Sequence, residues 1–66
     1  MNGNISEWLK AMYDAEIAET KGSISNERLW ANGSPDEQTA QMHLDNIEEL
    51  ERYIETLERL KRAVDE

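Results

Sequence analysis

Cysteine is absent from the 66 residues, so no disulfide framework, thiolate metal cage or cysteine nucleophile is available. Basic residues are scarce: 7 Lys and Arg stand against 15 Asp and Glu, a formal charge of −8. Direct binding to nucleic acid or to an anionic lipid surface needs a basic footprint, and none is present. Long apolar runs are missing too. No stretch approaches the roughly 18–20 apolar residues of a membrane span, and the polar opening Met1-Asn2-Gly3-Asn4 is unlike a signal peptide. A cytoplasmic chain without membrane contact is expected. Proline occurs once, phenylalanine not at all and glycine three times, so little interrupts the backbone.

The one dense cluster of breaking residues is Asn32-Gly33-Ser34-Pro35-Asp36-Glu37. Gly33 suits a left-handed position just past a helix end. Ser34 is spaced to act as an N-cap, with Pro35 at the first helical position and Glu37 closing a capping box. Asp36 and Glu37 complement the positive end of the helix dipole. These cues predict a helix starting near residue 35.

Beyond Pro35 neither glycine nor proline recurs. Ala40, Leu44, Ile47, Leu50, Ile54, Leu57 and Val64 follow one another at helical spacings, with Tyr53 and Leu60 widening the stripe. Glu48 and Arg52, Glu55 and Arg59, and Glu58 and Arg62 stand four apart with the acid first, the more favourable order. A second helix over about 35–64 follows, roughly 45 Å long at 1.5 Å per residue. The first half is less regular. Asn4 can cap a helix with Glu7 as its box partner, and Ile5, Trp8, Leu9, Met12, Tyr13 and Ile17 give a broad apolar face. Past Ile17 the stripe thins, and Gly22 beside Ser23 and Ser25 marks a possible break. A continuous first helix over about 5–31 is favoured, because its length then matches the second.

A turn at 32–34 makes the helices antiparallel neighbours, so the fold class is an all-α helical hairpin in a single domain, residues 1–66. Both helices carry wider apolar faces than one seam uses. A chain below about 70–80 residues seldom draws more than about 3–5 kcal/mol from one core, and this one has no staple. Self-association into a homodimeric four-helix bundle is therefore expected.

Catalytic signals are weak. His43 is the only histidine, and neither Glu-x-x-His nor His-Glu-x-x-His spacing occurs, so no metal and no cofactor are expected. The glutamates of the second helix have arginines four residues on, which suits a solvated, self-paired surface better than acid–base work in a cleft. Asn4-Ile5-Ser6 and Asn32-Gly33-Ser34 match the glycosylation sequon, but helix capping explains both.

An enzyme is thus the least supported reading. The leading one is a small acidic protein-interaction module, a bacterial or phage-type regulator or inhibitor that blocks or adapts an unidentified protein. Trp8, Tyr13, Arg28, Leu29 and Trp30 are the candidate interface, since Trp, Tyr and Arg dominate binding hot spots. The plainer alternative makes both tryptophans core. A second reading is nucleic-acid mimicry, with Asp45, Glu48, Glu49, Glu51 and Glu55 standing in for phosphates in a basic groove. A third is a structural coiled-coil subunit of a larger assembly.

Overall fold

The computed structural model describes residues 2–65, with side chains from residue 5 onward. Two helices, α1 (Asn2–Asn32) and α2 (Glu37–Val64), pack against each other as an antiparallel hairpin. Among the described residues no helix is long and apolar enough to cross a membrane.

The seam follows a 3.5-residue repeat on both sides. On α1 the shielded positions include Lys10, Tyr13, Ile17, Thr20, Ile24, Glu27 and Ala31, alternately three and four residues apart. On α2 they include His43, Ile47, Leu50, Ile54, Leu57, Lys61 and Val64, in the same rhythm. That repeat keeps one stripe of each helix facing its neighbour, as in a coiled coil. Ile17, Ile24, Ile47 and Leu57 form the buried apolar core, joined by Thr20. The Thr20 hydroxyl donates to the Glu16 carbonyl at 2.7 Å, so its burial leaves no polar group unpaired.

The ends of the seam are polar. Lys10 pairs with Asp65 at 2.8 Å and Lys61 with Asp14 at 2.7 Å, pinning the start of α1 beside the end of α2. Near the connection Glu27 meets His43 Nδ1 at 2.6 Å. Apolar burial is left to the middle. The rod measures 54 × 15 × 8 Å, and its radius of gyration is 15.5 Å. A compact chain of this length has a radius near 11 Å. The hairpin has a seam rather than an interior.

Gly22 does not interrupt α1, and a β-carbon there would meet nothing within 4 Å. The helix begins at Asn2, not near residue 5, so Asn4 lies inside it rather than ahead of it. The Asn4 side chain, and hence its expected box with Glu7, lies outside the described residues.

The connection also differs from the expected pattern. Asn32 still belongs to α1, and α2 starts at Glu37. Gly33 does not take a left-handed conformation; its N–H donates to the Leu29 carbonyl at 3.0 Å and ends α1 within helical geometry. Ser34 is not the N-cap. Its hydroxyl donates to the Trp30 carbonyl at 2.6 Å, serving the end of α1 instead. The cap is Asp36, in extended conformation, whose carboxylate accepts from the Thr39 N–H at 2.7 Å. An ionised oxygen is the stronger acceptor for a free first-turn N–H, and Pro35 biases Ser34, the residue before it, away from helical geometry.

Candidate interaction surface

The two helices turn different faces outward. Away from the seam α1 exposes Ile5, Trp8, Met12, Ala15, Gly22 and Leu29, with Ala11, Ala18, Ser25 and Asn26 between them. Among the described residues Glu19 is the only charged one on that face. The serine hydroxyls beside it are turned inward: Ser25 donates to the Lys21 carbonyl at 3.2 Å and Ser23 to the Glu19 carbonyl at 3.4 Å. The corresponding face of α2 carries Asp45, Glu48, Glu49, Arg52, Glu55, Arg59 and Arg62.

The flanks of the seam differ as well. One holds two adjoining shallow, open grooves. Arg28, Lys21 and Ile24 line the first opposite Glu51, Ile54 and Glu58; Asp14, Lys61 and Asp65 continue into the second. On the other flank the Tyr53 hydroxyl donates to Glu16 at 3.2 Å. Desolvation of the phenol and the adjacent Glu16 charge hold Tyr53 above the ordinary tyrosine pKa. The Trp30 ring leans on His43 with centroids 5.7 Å apart.

These placements separate the candidate residues. Trp8 is 62% exposed and Leu29 68% exposed, both on the outer face of α1. Trp30 is 56% exposed even with one side against His43. Neither tryptophan is core within the hairpin. Tyr13 is half-buried in the seam. Arg28 and Trp30, close in sequence, stand on opposite flanks, so Arg28, Leu29 and Trp30 do not form one patch. Among the acidic candidates Glu48 pairs with Arg52 at 2.6 Å and Asp45 accepts from Gln41 at 2.9 Å. Arg59 turns to Thr56 rather than to Glu55, and no Glu58–Arg62 pair forms among the described residues. Glu49, Glu51 and Glu55 therefore stay open to solvent.

The Glu27–His43 contact was not anticipated, and Asn46 Nδ2 adds a donor to the same carboxylate oxygen at 3.4 Å. Its signal was present in the spacing, because Glu27 continues the Ile17–Thr20–Ile24 series and His43 begins the Ile47–Leu50–Ile54 series. Two other groups are set by partners. The hydrogen bond to Asp65, with its charge, raises the Lys10 pKa. The Thr39 N–H lowers that of Asp36. No cluster of three or more His, Asp or Glu able to hold a metal occurs among the described residues. What this surface offers is contact area: an apolar strip on one helix and carboxylates on the other. Compared with known protein families, curated proteins and solved structures, the chain matches none.

Proposed function

We propose that the chain is a small acidic protein-interaction module that self-associates as a homodimer and acts by binding and blocking or adapting another protein. One observation carries this reading. Large apolar side chains are more numerous outside the hairpin than within it: Ile17, Ile24, Ile47 and Leu57 are buried, whereas Ile5, Trp8, Met12, Leu29 and Trp30 on α1 alone are exposed. Exposed apolar surface of that extent marks a contact site. Tryptophan supplies much of the energy at such sites, and the charged rim selects the partner. Affinity capture on the immobilised chain should retain a discrete protein. The Leu29→Ala, Trp30→Ala double variant should weaken that capture by about tenfold or more, the range of a hot-spot loss. Capture that is empty, or equal for both chains, defeats the reading.

Nucleic-acid mimicry is the second reading. The open carboxylates of Glu49, Glu51 and Glu55 favour it, since arginines neutralise α2 less than the sequence spacing implies. It requires binding that weakens steeply with salt and competes with DNA. Glu48→Lys, Glu49→Lys, Glu51→Lys in one chain should abolish such binding, and unchanged binding dismisses the idea.

A further inference from the structure

We infer that Asn32 is a covalent modification site of this chain, converted by spontaneous deamidation, and that the last turn of α1 gates the reaction. The pair Asn32-Gly33 supplies both reacting groups. Gly33 has no β-carbon, so its backbone nitrogen is open to approach by the preceding side chain. Both residues are exposed, at the C-terminal end of α1. The Gly33 nitrogen gives its proton to solvent and attacks Cγ of the Asn32 amide. The new N–C bond closes a succinimide ring, while the Cγ–Nδ2 bond breaks and the nitrogen leaves as ammonia with a proton returned from solvent. Water then opens the ring at one of its two carbonyls, leaving aspartate or isoaspartate. Water is the only co-reactant, and nothing is oxidised or reduced. Asn2-Gly3 repeats the pair in sequence, but those side chains lie outside the described residues.

In the hairpin the attacking atom is engaged. The Gly33 N–H donates to the Leu29 carbonyl at 3.0 Å, continuing the helical ladder, so it is directed back along α1. Asn32 is the last residue of α1, and the attack requires its ψ to leave the helical range. Two further bonds restrain that rotation. The Ser34 N–H donates to the Ala31 carbonyl at 3.3 Å, and the Ser34 hydroxyl to the Trp30 carbonyl at 2.6 Å. Helix ends open more readily than the elements behind them. Conversion therefore proceeds through local opening of this turn, and its rate records how often the turn opens. The product does not restore the turn: isoaspartate routes the backbone through Cβ and Cγ, lengthening it and displacing the Gly33 N–H from the Leu29 carbonyl.

The full chain is held in mildly alkaline buffer, folded or in guanidinium chloride, and tryptic fragment 29–52 is followed by mass spectrometry. Asn32 should convert severalfold more slowly in the folded chain than in denaturant. Asn46, on the same fragment but followed by the β-branched Ile47, is the internal reference. Gly33→Ala should keep the hairpin, since its β-carbon would lie an ordinary 3.5 Å from the Leu29 carbonyl and no glycine takes a positive φ. It should suppress conversion in both solvents. Ser34→Ala removes the hydroxyl bond, so it should speed conversion severalfold in the folded chain and leave the denatured rate unchanged, with circular dichroism confirming the hairpin. Equal rates for the folded and denatured wild type overturn the gate. An Asn32 that stays intact in denaturant, or converts as fast in Gly33→Ala, overturns the site. A folded Ser34→Ala rate no higher than that of the wild type overturns the part given to the hydroxyl.

Discussion

The two helices have similar lengths but are stabilised by different means. α2 is specified by its own residues: Asp36 caps it, Glu37 sits in its first turn, and Lys61 and Arg62 sit in its last. Each favours the helix locally through hydrogen bonding or the dipole. α1 has no acid in its first turn and no base in its last, and it carries Gly22, Ser23 and Ser25 in its middle. Its charges lie mostly on the flanks of the seam, where Glu7, Asp14, Lys21 and Arg28 are exposed. α2 behaves as a self-sufficient surface helix, while α1 depends on what packs against it. A helix without local support is held by tertiary contact, here the seam with α2.

The largest expected effect tests whether one seam holds both helices. Leu57→Ala removes the most shielded apolar side chain and should cost about 2–5 kcal/mol, enough to unfold the hairpin. Leu60→Ala, one turn on but exposed, should stay within about 0.5 kcal/mol. Thermal melts followed by circular dichroism compare the two. Equal losses would mean that the seam is misplaced.

Gly22→Ala sharpens the contrast in the opposite direction. The site is open, so at concentrations where the hairpin is monomeric this change should stabilise α1 by about 0.5–1 kcal/mol. The same melts read it, and a loss there would show that the hairpin itself uses the glycine.

The smallest effect belongs to the cap of α2. The Thr39 N–H depresses the Asp36 pKa, so the folded state favours the ionised carboxylate. That contribution is present above the ordinary Asp pKa and is lost as pH falls through the depressed folded value. Asp36→Asn keeps an acceptor oxygen without a titrating group. Its acid unfolding profile should lack the portion of the wild-type loss that falls in that window; superimposable profiles would remove Asp36 from the pH dependence.

Much of the hairpin was legible from spacing, and what escaped did so for identifiable reasons. The series through Ile47, Leu50, Ile54 and Leu57 announces α2, because a face buried along a helix must repeat at three and four. The start of α2 was misread by two residues because Ser34 and Asp36 can both cap. Only the folded chain reveals that the Trp30 carbonyl already occupies the Ser34 hydroxyl. The arginine pairings failed similarly: spacing allows Glu55–Arg59, but the exposed side chain goes to Thr56. Among the candidate residues, sequence adjacency grouped Arg28, Leu29 and Trp30, whereas helical rotation separates them onto different sides.

By itself the sequence determined two long helices, one tight connection and a large negative charge. These follow from local rules: periodicity, scarce breaking residues and the excess of carboxylates. Tertiary structure decided which of several apolar stripes on α1 meets α2, that Tyr13 is half-buried while Trp8 and Leu29 remain outside, and that Glu27 and His43 share the polar end of the seam. The physical reason is that periodicity shows that a stripe can be buried, while only the rotation of one helix against the other selects the stripe.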